Sequence, residues 1–141
     1  MNEKIPYEWF LRAKKESDPY FKFMSIYVAL NFLYNNLDIQ SERCRMKTFL
    51  KEEAERYNYR FNLSGESEFF KHPVQDMKTT KTYPVENNNL NSLFDAIYTI
   101  RCNLFHGNKM LGNVRDKALV GESANILIEI LRSRLEIDSN Q

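Results

Sequence analysis

The chain has 141 residues, 43% of them hydrophobic and 28% charged, and its formal net charge is +1. This size fits one domain, expected to span residues 1–141, and the composition excludes a disordered chain. The small net charge excludes general attraction to nucleic acid, so any RNA contact requires a local basic patch.

The compartment is predicted from cysteine usage and from the absence of long apolar runs. Cys44 and Cys102 do not form a disulfide framework, and the first residues carry no basic-then-apolar signal pattern. The most apolar run, residues 21–34, is too short and too interrupted to span a bilayer. We expect a cytoplasmic protein that makes no membrane contact.

Two helices are predicted in the first 34 residues. Residues 5–15 read as a short amphipathic helix behind Pro6, with Trp9 and Phe10 directed inward. In the stretch "SDPYFKFMSIYVALNFLYNN", Asp18 or Ser17 can cap a helix that has Pro19 at its first position. Apolar residues cover nearly every side of this second helix, which predicts a buried, central element.

A third helix is expected over residues 41–56, followed by a segment with weaker signals. Its apolar stripe consists of Met46, Phe49, Leu50, Ala54 and Tyr57. In residues 57–86, "YNYRFNL" alternates and "TTKTYPV" is rich in β-formers, so a small extended ribbon or an irregular insertion is expected. Lys71, His72, Lys78 and Lys81 leave two readings open for this segment, a specificity loop beside a cleft or a solvated surface loop.

Helical character returns at "NNNLNSLFDAIYTIRCNLF", where any of Asn87, Asn88 or Asn89 can cap. Gly107 and Gly112 bracket a turn, and Asn113 opens a last helix in which Gly121 permits close helix contact. The core stripe of that helix comprises Val120, Ala124, Leu127, Ile128, Leu131 and Leu135. These elements predict an all-α bundle of about five helices with one irregular insertion.

The stretch "YTIRCNLFHGNK" places Arg101, Asn103 and His106 in an otherwise apolar helix. Two interpretations are open. The polar residues form a buried network that joins helices, with Asn31 as a partner, or they bind an external group such as a phosphate. Arg is a rigid fork of donors suited to phosphate, and His exchanges a proton near neutral pH. The residue types alone leave both interpretations open, the second of which places these side chains in a cleft.

Basic residues close to this stretch supply the local patch that the net charge does not show. Lys109 and Arg115 follow His106 within nine residues. Arg101 and His106 are five residues apart, so they lie about 140° apart around a continuous helix. Both reach one phosphate only if the helix loosens near Gly107, or if two copies of the site face each other.

Cys102 and His106 share a helix face and invite two other readings, a zinc site or a cysteine–histidine nucleophile. A structural zinc site needs four ligands, and no CxxC-type spacing is present. A thiolate nucleophile needs a base and an orienting group, and no pattern in the sequence identifies them. We therefore predict no metal and no other cofactor, with Cys102 as a small packing residue.

"IRCNLFHGNK" resembles the signature of HEPN domains, in which four to six residues separate an Arg from a His; here four residues separate Arg101 from His106. "FKFMSIYVALNFLYNNL" resembles the earlier helix of that family, an apolar run that ends around Asn31 and Tyr34. The two stretches have the order expected for the family and cover about a third of the chain.

The resemblance implies an up-and-down helical bundle that dimerises and places both Arg/His motifs in a shared cleft. Many HEPN proteins are metal-independent endoribonucleases of toxin–antitoxin, abortive-infection and other defence systems. The implied reaction is attack of the RNA 2′-OH on the adjacent phosphate, which leaves a 2′,3′-cyclic phosphate and a 5′-hydroxyl. His106 would transfer the proton and Arg101 would hold the phosphate. The implied partners are RNA, a second copy of the chain and an antitoxin or another protein.

Two positions depart from the family pattern. The residue after the Arg is usually polar, and here it is Cys102, with Asn103 one position later. Position 108 is Asn, whereas toxins paired with a nucleotidyltransferase antitoxin carry Tyr there. The alternative to an endoribonuclease is a non-catalytic HEPN module that binds RNA, nucleotide or a protein. The predicted catalytic residues are Arg101, His106 and Asn103, and the predicted substrate-binding residues are Lys109, Asn31 and Arg115.

Overall fold

Helices dominate the part of the chain that the structure describes. The structure is a computed structural model that describes residues 3–63, 70–106 and 114–137. Its helices are α1 (Lys4–Lys15), α2 (Pro19–Tyr34), α3 (Glu42–Arg56), α4 (Leu90–Phe105) and α5 (Val114–Arg132), with a π-helical segment (Ser133–Ile137) after α5. The predicted all-α bundle of five helices with one irregular insertion is confirmed.

Helix α2 begins as its sequence predicts and packs against α1 and α5. The Asp18 carboxylate accepts hydrogen bonds from the backbone N–H groups of Tyr20 at 2.9 Å and Phe21 at 3.2 Å, with Pro19 at the first helical position. A Cβ atom at Gly121 would lie 3.3 Å from Cβ of Pro19. The glycine therefore lets α5 approach the start of α2 closely, as predicted.

One face of α2 is exposed, so the prediction of a wholly buried helix is wrong on that side. Phe23 and Leu30 are fully buried, as the predicted central position requires. Phe21, Met24 and Phe32 nevertheless remain 59%, 38% and 48% exposed. Neighbouring helices cover the other sides of α2, and no described element covers this one.

Helices α3 and α4 pack against each other, and a polar side chain caps each at its start. Ser41 accepts from the backbone N–H of Cys44 at 3.3 Å, as expected for a helix beginning at residue 42. Of the three candidate asparagines before α4, Asn89 is the cap and accepts from the N–H of Ser92 at 3.0 Å. Both caps satisfy N–H groups that the helices themselves leave without partners.

The insertion between α3 and α4 contains a small antiparallel hairpin, so the extended-ribbon prediction is confirmed for "TTKTYPV" but not for "YNYRFNL", which forms no strand. Strands β1 (Val74–Gln75) and β2 (Thr82–Tyr83) pair with Val74 opposite Tyr83. Phe61 and Phe70 are buried beneath the insertion, with ring centroids 6.3 Å apart. The segment called the hairpin below (residues 74–83) is thus attached to a packed extension of the core.

The Asp18 cap provides a test of the local signal that starts α2. Replacing Asp18 with Ala removes the acceptor of two backbone N–H groups and should lower the free energy of unfolding by about 1 kcal/mol. Asp18→Asn keeps an acceptor oxygen and should change stability by much less. Urea denaturation of both variants measures the difference. Equal stability of the two would contradict this role of Asp18.

Candidate active site

The carboxylate of Glu42, the first residue of α3, joins three helices. Its Oε2 accepts hydrogen bonds from Tyr34 Oη at 2.7 Å and from Asn31 Nδ2 at 3.3 Å, both on α2. Its Oε1 accepts from Tyr98 Oη at 3.2 Å and lies 3.6 Å from Nη2 of Arg101, both on α4. We call these five residues the Glu42 cluster. It brings together two predicted site residues, Asn31 and Arg101.

Two buried tyrosines extend the Glu42 cluster into the core. The hydroxyls of Tyr27 and Tyr34 lie 2.7 Å apart, and Asn31 Nδ2 donates to Tyr34 Oη at 3.0 Å. Burial is the main cause that raises the pKa of Tyr27 above its ordinary range and that of Tyr34 to about 12. Both phenols therefore stay protonated near neutral pH, and Tyr34 remains a donor to Glu42.

The guanidinium of Arg101 lies among aromatic rings and has few hydrogen-bond partners. Its Cζ is 5.4 Å from the ring centroid of Tyr27, 5.6 Å from that of Tyr98 and 5.3 Å from that of Phe105. Its Nε is buried without a partner, and Nη1 has only the sulfur of Cys102 at 4.0 Å. The 3.6 Å separation from Glu42 is too long for a hydrogen bond. Arg101 thus leaves most of its five donors without a hydrogen-bond partner within the described protein.

His106 follows the last residue of α4 and is exposed. Its backbone N–H donates to the carbonyl of Cys102 at 3.0 Å, so the helical ladder continues through this position. The 140° separation from Arg101 expected for a continuous helix therefore holds. Arg101 turns toward Glu42, and His106 leaves the same helix in another direction.

Asn103 does not face a cleft, contrary to the prediction. Its side chain is buried, at 2% exposure, and both ends of its amide bind the hairpin. Nδ2 donates to the carbonyl of Gln75 at 2.9 Å, and Oδ1 accepts from the N–H of Met77 at 2.9 Å. Both ends of its amide are therefore engaged with the hairpin, which gives Asn103 a structural role at this position.

Arg115, a further predicted binding residue, lies outside the Glu42 cluster. Arg115 Nη2 donates to the backbone carbonyls of His72 at 2.8 Å and Pro73 at 3.1 Å, which ties the start of α5 to the insertion. Lys109 lies outside the described residues, as do Gly107 and Gly112. Asn31 and Arg101 therefore stand alone among these candidates as direct neighbours of one carboxylate.

Sequence reasoning missed Glu42, Tyr27 and Tyr98. Tyr27, Asn31 and Tyr34 repeat at intervals of four and three residues, a signal for one face of α2. This spacing could be read from the sequence. The contact of this face with Glu42 and Tyr98 could not be read from it, because that contact depends on how α2, α3 and α4 cross.

Three further structural findings concern metal ligands, the thiols and membrane-spanning helices. Within residues 3–63, 70–106 and 114–137, no group of three His, Cys, Asp or Glu side chains is placed to hold a metal ion. Cys44 and Cys102 are both free thiols, the first exposed and the second half-buried. None of the described helices combines the length and apolar character needed to cross a membrane.

Comparisons with protein-family models, with curated proteins and with solved structures each find no match to this chain. The proposed function therefore rests on the side chains of α2, α3 and α4 that meet at Glu42.

The position of Asn103 generates a stability prediction. Asn103→Ala removes two hydrogen bonds and leaves backbone groups of Gln75 and Met77 without their partner. We expect a loss of about 1–3 kcal/mol in the free energy of unfolding. Cys102→Ala, at the half-buried neighbouring position, is the control and should change stability less. Chemical denaturation followed by circular dichroism measures both, and an Asn103→Ala variant as stable as the control would contradict the anchoring role.

Proposed function

We propose that this protein is a metal-independent endoribonuclease of HEPN type that acts as a homodimer. The observation that carries the proposal is the Arg101 guanidinium, which is held by three aromatic rings but keeps its Nε and most other donors without partners. A phosphate oxygen is an acceptor suited to such a fork. The side chain is 19% exposed, which leaves an approach for a ligand.

The proposed reaction needs one cation and one proton carrier. The 2′ oxygen of RNA attacks the adjacent phosphorus as the bond between phosphorus and the 5′ oxygen breaks. A His106 imidazole accepts the proton of the 2′-OH and returns it to the leaving 5′ oxygen. Arg101 stabilises the charge that develops on the phosphate oxygens. The products are a 2′,3′-cyclic phosphate and a 5′-hydroxyl, and DNA is not a substrate because it lacks the 2′-OH.

The Glu42 cluster positions Arg101 for phosphate binding without occupying its hydrogen-bond donors. The carboxylate is close enough to attract the guanidinium, yet at 3.6 Å it does not form a direct hydrogen bond. Tyr34, Asn31 and Tyr98 supply the hydrogen bonds that Glu42 accepts. A bound phosphate can therefore gain hydrogen bonds from Arg101 without displacing one from Glu42.

The exposed face of α2 supports the proposed dimer. Phe21, Met24, half-buried Val28 and Phe32 recur at intervals of three and four residues and form one apolar stripe. Such a stripe on a small domain is a usual feature of an interface between copies. Asn31 immediately precedes Phe32 and belongs to the Glu42 cluster, so the stripe adjoins the site. A symmetric contact here brings two sites together and lets His106 of one copy approach Arg101 of the other.

A non-catalytic HEPN module that binds RNA, nucleotide or a protein is the second candidate. Cys102 favours it, because a thiol stands where the family usually has a polar side chain. The same Arg101 donors would then bind a phosphate without cleaving its ester. The defence or toxin–antitoxin setting, with an antitoxin as a protein partner, belongs to the first candidate.

Loss of either predicted catalytic side chain should abolish cleavage. Arg101→Ala and His106→Ala should each lower RNA cleavage by at least about a hundredfold, since general acid–base catalysis and charge stabilisation each contribute that much. Cleavage is measured on mixed single-stranded RNA with and without EDTA. Arg132→Ala, an exposed arginine at the far end of α5, is the control and should cleave normally.

The same variants test whether the site is shared between copies. Mixing Arg101→Ala chains with His106→Ala chains gives heterodimers with one intact Arg101 and one intact His106 on different chains. Recovered cleavage in the mixture indicates a composite site. If proven heterodimers remain inactive, the shared site is wrong. If the wild-type protein binds RNA but leaves it intact, the non-catalytic module replaces the enzyme.

The apolar stripe predicts the oligomeric state. Phe32→Glu places a charge on the exposed face of α2 and should convert a dimer at micromolar concentration into a folded monomer with little activity. Asn125→Glu adds the same charge at an exposed position of α5 and should leave the dimer intact. Light scattering gives both masses. A wild-type monomer at that concentration would rule out the dimeric mechanism.

A further inference from the structure

The hairpin is fixed to the helix that carries Arg101. Both amide hydrogen bonds of Asn103 end on its backbone, at Gln75 and Met77. Asn103 lies two residues after Arg101 on α4, so the two side chains leave the helix about 160° apart. Buried, fully bonded anchors of this kind hold a surface segment in one place. The hairpin therefore has a defined position relative to the Arg101 site.

Arg43 of α3 provides a second, independent connection. Its Cζ lies 4.7 Å from the ring centroid of Tyr83 on β2 and 4.7 Å from that of Tyr98 on α4. An ion pair with Asp95, at 3.0 Å, holds Arg43 between the two rings. Tyr98 in turn donates to Glu42 and contacts Arg101. The hairpin is thus separated from the Glu42 cluster by a single arginine side chain.

The turn of the hairpin presents lysines on a rigid backbone. The Asp76 carboxylate accepts from the N–H groups of Lys78 at 2.9 Å and Thr79 at 3.2 Å, and these bonds help to lower the pKa of Asp76. The carboxylate is thereby engaged within the turn. Lys78 and Lys81 are exposed, and neither forms an ion pair with a described residue.

We propose that the hairpin binds the phosphates that flank the scissile phosphate of single-stranded RNA, through Lys78 and Lys81. This inference rests on the proposed function, and it gives the protein a second surface that contacts the RNA. The chain has a net charge of +1, so RNA affinity requires a local patch. The two lysines supply one on the hairpin, which Arg43 connects to Tyr98 and through it to Arg101.

Single-stranded RNA is the form that fits this surface. Met77 is 50% exposed at the turn, beside Lys78, and offers an apolar contact for an unpaired base. In duplex RNA the bases are stacked inside the helix, and the deep major groove hides their edges. In-line attack by the 2′-OH also requires a backbone free to leave helical geometry. Single-stranded RNA is therefore the substrate class that suits both the hairpin and the Arg101 site.

The test is the salt dependence of RNA binding. A twelve-nucleotide single strand with 2′-O-methyl groups throughout cannot be cleaved and reports binding alone. Lys78→Gln/Lys81→Gln should weaken its binding roughly tenfold at moderate salt and reduce the slope of log K against log salt by about 1.4, since each lost phosphate contact removes about 0.7. Stability should not change, because both side chains are exposed.

Lys15→Gln/Arg132→Gln is the matched control. It removes the same charge at exposed positions, and Arg132 is at the opposite end of α5 from Arg115, which binds the insertion. We expect its affinity and slope to equal those of the wild type. Equal losses in both double variants would mean that only net charge matters, and the hairpin assignment would be wrong. A loss confined to duplex RNA would overturn it as well.

A ribodinucleotide substrate separates this inference from the proposed function. It has one phosphate and none to flank it, so Lys78→Gln/Lys81→Gln should cleave it at the wild-type rate while losing activity on longer RNA. If the wild type cleaves the dinucleotide and the hairpin variant keeps full affinity and slope, the hairpin inference fails alone. If the wild type cleaves nothing but the hairpin variant loses affinity, cleavage is overturned and the hairpin contact stands.

Discussion

The carboxylate of Glu42 is the interaction on which the candidate site depends. A carboxylate only accepts hydrogen bonds, and Tyr34, Asn31, Tyr98 and Arg101 all present donors to it. Its place in the first turn of α3 is favourable, because the helix N-terminus stabilises negative charge. One side chain therefore fixes the relative positions of α2, α3 and α4 and holds a cation beside an apolar surface. Without it, Arg101 would be a partly buried charge with no counterion.

Arg101 shows that the two interpretations of the motif were not true alternatives. The guanidinium belongs to a polar network, as a structural role predicts, because it balances Glu42. It is also under-satisfied, with a buried Nε that has no partner and contacts made mainly to ring faces. Cation–π contacts hold a guanidinium without using its N–H groups, which point along its edge.

The elements of the fold could be predicted because their signals are local. Asp18 followed by Pro19 starts α2, and Gly121 meets the same Pro19 at close range. The site could be predicted only in part, because Arg101 and His106 are recognisable by type and spacing, whereas Glu42 is one of many surface-like acids. Asn103 was misassigned for the same reason. The Asn103 amide binds the hairpin at Gln75, 28 residues earlier in the chain, and no local sequence pattern predicts that contact.

Helical geometry explains how one short stretch serves three purposes. Successive residues turn by about 100°, so side chains at positions 101, 103 and 106 leave α4 in three directions. Arg101 meets Glu42, Asn103 meets the hairpin and His106 is exposed. Within one chain, Arg101 and His106 therefore point in different directions, and Asn103 anchors the hairpin to α4. Under the proposed mechanism a second chain brings the two side chains together, and the apolar stripe of α2 beside Asn31 is the surface on which we propose that it binds.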